Sequence, residues 1–73
     1  MPIVTREAAE AAVRAACVKN YGATLRDIVV HSATKYGEPR FDCIWSVEVT
    51  YSSEGWRAIY GVTTGGKAIC WMD

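Results

Sequence analysis

The chain has no excess of either charge, only one histidine and one phenylalanine, and no apolar run long enough to cross a membrane. Eight Lys and Arg cancel eight Asp and Glu, with no run of like charge. Nonspecific binding to nucleic acid or to an anionic membrane needs a basic surface, so this balance argues against both. The single His31 and the dispersed Cys17, Cys43 and Cys70 offer neither a Cys/His zinc site nor a Cys-x-x-Cys pair. No metal and no other cofactor is expected. The start, Met1-Pro2-Ile3-Val4-Thr5, lacks a cationic region followed by an apolar one, and Glu10 and Arg14 interrupt the alanine-rich stretch behind it. That pattern is neither a signal peptide nor a membrane span, and a cytoplasmic protein is expected. No repeat, linker or low-complexity segment divides the chain.

What is present is a single domain, residues 1–73, near the lower limit for folding without disulfides or metal. A chain of this size buries only about 60% of its unfolded surface, so each large side chain counts. The three Trp, four Tyr and one Phe are therefore expected in the core, and association with another chain would relieve a marginal core.

Thr5 is a suitable helix N-cap, Glu7 and Glu10 favour the positive end of the dipole, and Gly22 is a suitable stop. A helix is thus expected over Arg6 to Tyr21, with Arg6–Glu10 and Glu10–Arg14 pairs on its wet side. At the helical period, Ala8, Ala9, Ala11, Ala12, Ala15, Ala16 and Val18 share one arc, which would pack closely on a bulky sheet. Strand signals follow at 26–36, 41–51, 56–63 and 67–72, separated by Gly37-Glu38-Pro39-Arg40, Ser52-Ser53-Glu54-Gly55 and Thr64-Gly65-Gly66-Lys67. The strongest is Phe41 to Val62, where Phe41, Cys43, Trp45, Val47, Val49 and Tyr51, then Trp56, Ala58, Tyr60 and Val62, recur at period two. The expected fold class is α+β: one N-terminal helix packed on a four-stranded antiparallel meander sheet.

Simple turns set the registers. A two-residue Gly65-Gly66 turn puts Val62 opposite Ile69 and Tyr60 opposite Trp71. A Ser53-Glu54 tip puts Val49 opposite Ala58 and Val47 opposite Tyr60. Pairing Tyr36 with Phe41 puts Val30 opposite Val47 and Lys35 opposite Asp42. All large aromatics then share the helix face. The other face carries charge towards its ends, at Lys35/Asp42 and Glu48/Arg57, and is otherwise smooth and apolar. Its candidate interaction residues are His31, Ala33, Ile44, Ser46, Ile59, Cys70 and Met72, because an exposed apolar patch often marks a partner surface.

Catalytic chemistry finds no footing. Cys70 has no evident base beside it, Cys43 reads as a buried structural thiol, and Asp42 and Glu48 each have a basic neighbour. Gly65-Gly66-Lys67 joins strand to strand, whereas a phosphate loop needs a helix N-terminus behind it. The chain is expected not to be an enzyme.

The helix, the strand at Asp27-Ile28-Val29-Val30, Trp45-Ser46-Val47-Glu48-Val49, and Tyr60-Gly61-Val62-Thr63-Thr64-Gly65-Gly66-Lys67-Ala68-Ile69 together resemble a PepSY-type domain. The family's aspartate before the Thr-Gly step is absent, Thr63 standing there, and many members are extracytoplasmic. The resemblance implies a small non-catalytic module that binds or inhibits other proteins. The expected function is accordingly a protein-interaction module, an inhibitor, adaptor or accessory factor, acting through the open sheet face as a homodimer. The alternative is a small-molecule-binding module with its ligand between helix and sheet or at a dimer seam.

Overall fold

The computed structural model describes residues 5–72, and in it one helix packs on one four-stranded antiparallel sheet, an α+β fold. Residues 1–4, read above for a leader signal, lie outside that range. Helix α1 spans Arg6–Tyr21 with the expected caps: Thr5 Oγ1 accepts from the Ala8 N–H at 3.1 Å, and the Gly22 N–H donates to the Val18 carbonyl at 3.0 Å. Gly22 sits at φ 65°, a left-handed conformation that glycine adopts without a Cβ penalty. Glu10 pairs with Arg6 at 2.8 Å and with Arg14 at 3.7 Å.

The buried stripe of α1 is not the alanine arc. Ala9, Val13 and Cys17 are fully buried with Ala16 and Tyr21 packed beside them, while Ala8, Ala11, Ala15 and Val18 face out. Burial free energy scales with apolar area, so the helix rolls to bring in Val13, Cys17 and Tyr21. The exposed alanines still support the helix through their intrinsic propensity.

A 3₁₀ turn, Leu25–Asp27, leads into strands β1 (Val29–Arg40), β2 (Cys43–Thr50), β3 (Arg57–Thr63) and β4 (Ala68–Met72), in the spatial order β1-β2-β3-β4. The β2–β3 register is the expected one, with Val47 opposite Tyr60 and Val49 opposite Ala58. Between them Ser52 Oγ accepts from the Glu54 and Trp56 N–H groups, and Gly55 takes φ 87°.

The other two registers differ from expectation. The β1–β2 turn is Phe41-Asp42, at φ 50° and 65°, and not Gly37–Arg40. Positive φ at both positions is what a two-residue type I′ hairpin demands. Val30 therefore lies opposite Val49, Ala33 opposite Val47, and Lys35 opposite Trp45, so the Lys35/Asp42 pair does not form. Strand β1 also carries an extra residue at His31 and a longer irregularity between Lys35 and Arg40. At the other end, Thr64-Gly65-Gly66 makes a three-residue loop. The Gly66 N–H donates to the Thr63 carbonyl and the Thr63 N–H to the Lys67 carbonyl, both at 2.9 Å, with Gly66 at φ 90°. The outcome is a one-residue slip: Gly61 faces Ile69, Tyr60 faces Cys70, and Val62 faces Ala68. A slip of one moves the side chains from Ala68 to Cys70 to the opposite face, and the irregularity beyond Cys70 returns Met72 to its expected place opposite Ile59.

The core lies between α1 and the sheet, built on Val13 and Cys17 against Trp45, Val47, Tyr60 and Val62. At its margin Tyr21 stacks on Tyr51 with centroids 3.9 Å apart, and Asn20 Nδ2 donates to the Tyr60 hydroxyl at 3.1 Å. The aromatics do not share one face, as the registers above had them. Trp45 and Tyr60 are buried, Trp56 is largely exposed, Phe41 is 87% exposed, and Tyr36 and Trp71 stand outside this core.

Candidate interaction surface

The surface away from α1 is organised by Gly61. Its strand position points the missing side chain away from the helix, between the inward Tyr60 and Val62. The slipped β4 places the Trp71 indole in that space, so closely that a β-carbon on Gly61 would overlap the ring. A glycine inside a strand often marks such a close approach. From the far side of the sheet Tyr36 reaches Trp71, its ring nearly parallel at 25° and 6.3 Å between centroids. Phe41 meets Trp71 edge-on at 6.4 Å, and the Arg40 guanidinium lies 5.2 Å from the Tyr36 ring centroid. Offset-stacked and edge-on arrangements are the favourable ones for aromatic quadrupoles, and a cation over a ring adds to them.

The candidate residues read from sequence divide between the two sides. Ser46, opposite Gly61, and Ile59, opposite Met72, remain on the open face. Met72 is 63% exposed, and with Ile59, Glu48 and Arg57 it lines an open groove of about 200 Å³. Across that groove Arg57 Nη1 and Glu48 Oε2 pair at 3.1 Å. His31 sits exposed in the bulge of β1 and shares a hydrogen bond between its Nε2 and Thr50 Oγ1.

Four placements are corrected. Ala33 faces the helix-side core because the bulge at His31 inverts the alternation beyond it. Ile44 is buried in that core, since a second bulge between Cys43 and Trp45 turns it inward. Cys43, expected in the core, is fully buried but outside the helix-side cluster, opposite Thr63. Cys70 lies on the helix side of the β4 edge, its Sγ 3.4 Å from the Tyr21 hydroxyl, again through the one-residue slip. Tyr36, Arg40, Phe41 and Trp71 were not among the candidates. The signal that could have found them is Gly61, whose lone hydrogen in a strand of Tyr and Val leaves room for a ring.

Among the described residues, the shifts that burial causes do not activate a nucleophile. Burial pushes the Cys17 thiol up, outweighing a lowering hydrogen bond from Tyr60, and it likewise raises the phenols of Tyr60 and Tyr21. The Cys43 thiol is raised too, first by burial and then by the Asp42 carboxylate. Such shifts keep these groups neutral, which is the opposite of an activated nucleophile. Among the described residues no three His, Cys, Asp or Glu side chains come together to hold a metal, and no helix is long and apolar enough to cross a membrane. Comparison with known protein families, curated proteins and solved structures finds no match.

Proposed function

We propose that the chain is a non-catalytic protein-interaction module, an inhibitor, adaptor or accessory factor, that works as a homodimer and presents its open sheet face to another protein. The observation that carries this reading is Phe41: an 87% exposed aromatic ring held at φ 50° on a hairpin tip, against Trp71. A bulky residue in the left-handed region is strained, and strain of that kind clusters at functional positions. Around it, Trp71, Arg40 and Tyr36 are the residue types enriched among binding hot spots. The resemblance to PepSY-type domains points the same way. Three unbridged cysteines fit the reducing cytoplasm proposed as its compartment.

The test is affinity capture from the source cell with wild type, Phe41→Ala and Ile59→Asp as baits, each first shown to keep the wild-type circular dichroism. A protein held by wild type and lost by the two variants supports the reading. Equal capture by all three baits overturns it.

A second reading rests on the groove beside Ile59 and Met72, whose volume of about 200 Å³ suits a small apolar molecule with a charged end beside Arg57. It lies on the open face, not between helix and sheet. A thermal-shift screen of metabolites checks it, because a ligand at 100 times its Kd adds about 2.7 kcal/mol of stability.

A further inference from the structure

The two edges of the sheet are not alike. Edge strand β1 is broken by its bulge at His31 and by the irregular stretch before Arg40, and it carries Lys35, Glu38, Pro39 and Arg40. Charge, proline and bulging are the means by which natural sheets prevent their edges from pairing. Edge strand β4, Ala68-Ile69-Cys70-Trp71-Met72, has none of the charge and no proline, and its one irregularity lies beyond Cys70. Its Ile69 and Met72 are 38% and 63% exposed.

The ladder shows which backbone groups are free. The Thr63 N–H bonds the Lys67 carbonyl while the Lys67 N–H turns to Thr63 Oγ1, so Thr63/Lys67 stands in the bonded phase of the ladder. Such pairs alternate along an antiparallel ladder, which makes Gly61/Ile69 the next bonded pair and leaves Val62/Ala68 and Tyr60/Cys70 as non-bonded ones. The N–H and C=O groups of Ala68 and Cys70 therefore point out of the sheet, two residues apart.

We propose that two copies of the chain pair through these β4 edges, antiparallel, with Ile69 on the two-fold axis. This deepens the homodimer part of the proposed function and rests on it. Identical strands laid antiparallel are self-complementary, so the contact is closed and isologous. With Ile69 opposite Ile69 of the second copy, Ala68 lies opposite Cys70 of the second copy and Cys70 opposite its Ala68. All four outward pairs of groups then find partners, giving four backbone hydrogen bonds. The two Ile69 side chains meet on the open face, and no like charges face each other, because Lys67 comes opposite Trp71. The axis runs through the plane of the sheet from face to face. Both helices therefore lie on one side, and both aromatic clusters on the other, on a continuous eight-stranded sheet. The contact is small, so association is concentration-dependent.

Light scattering on the full chain across a concentration series tests the pairing. Wild type is expected to rise from 8.0 kDa towards twice that mass. Ile69→Asp sets two carboxylates together at the axis and is expected to raise the dissociation constant about tenfold or more. Cys70→Pro removes an outward donor while sparing the ladder to β3, and is expected to stay monomeric. Should Cys70→Pro fail to fold, Ile69→Cys in a Cys70→Ser background decides. Directly opposed residues at a non-hydrogen-bonded pair lie within disulfide reach, so air oxidation is expected to link two chains on a non-reducing gel. A wild type that stays at 8.0 kDa, a folded Cys70→Pro that still dimerises, or an unlinked Ile69→Cys overturns the proposal. A dimer lost in Ile59→Asp but kept in Cys70→Pro also overturns it, while leaving the open face as the interaction surface. A dimer of the expected kind with no partner lost in Ile59→Asp capture keeps the edge pairing and removes the open-face reading.

Discussion

Replacing Gly61 by valine puts a branched side chain where the Trp71 indole now lies. Valine suits a strand better than glycine on local grounds, so any loss must come from displacing the ring. The expected outcome is a destabilisation of about 1–3 kcal/mol in urea unfolding, the range for overpacking, with a red shift of tryptophan emission as Trp71 moves into water. The double variant Gly61→Val/Trp71→Ala should recover part of that loss, because the clash is gone. A second single-residue effect concerns pH. Burial raises Cys17 above its ordinary 9.0 and Tyr60 above its ordinary 10.0. The unfolded chain then releases these protons first as pH rises and binds fewer than the native state. Stability is accordingly full below pH 9 and falls from there upward, through the raised native values. Urea midpoints measured from pH 7 to pH 11 should show that decline, and Cys17→Ala should flatten its first part.

At the level of elements, the two outer turns decide what faces where. The β1–β2 tip demands positive φ at two positions occupied by Phe41 and Asp42, of which aspartate tolerates it and the bulky phenylalanine does not. Asparagine and glycine favour it, so Phe41→Asn/Asp42→Gly is expected to raise stability by about 1–2 kcal/mol. For a chain of this length that corresponds to roughly 4–8 °C in Tm per kcal/mol by calorimetry. The same variant should lose the captured partner, since stability and a strained binding residue oppose each other. Much of each element was legible: the caps of α1, the number and order of the strands, and the β2–β3 register all follow from local signals. The Phe41-Asp42 turn was not, because Gly37-Glu38-Pro39-Arg40 carries better turn chemistry and lies close by. The β3–β4 loop was missed by one residue, since Thr64-Gly65-Gly66 with Gly66 left-handed and a bare Gly65-Gly66 turn use the same glycines. That single residue carried Trp71 out of the core and Cys70 to the helix side.

For the molecule as a whole, the margin is narrow. A domain of this size is stabilised by roughly 5–10 kcal/mol, and truncating a buried tryptophan costs about 3–5 kcal/mol. Trp45→Ala, which removes the largest side chain of the helix-side core, is expected to leave the chain largely unfolded at 37 °C by circular dichroism. Removing the exposed Arg57–Glu48 pair by Arg57→Ala should change stability by less than about 1 kcal/mol, because water screens it. The site was only partly legible. Ser46, Ile59 and Met72 stayed on the open face, whereas Ala33, Ile44 and Cys70 were carried off it by two bulges and a slip. By itself the sequence determined the helix with its caps, four strands in meander order, and the alternation that makes one side of β2 and β3 a core. Those follow from period, propensity and turn chemistry, which act between near neighbours. Only the tertiary structure decided which aromatics are buried and which form the cluster over Gly61. A bulge or a one-residue slip costs little locally, and its place is chosen by how all the strands and the helix pack together.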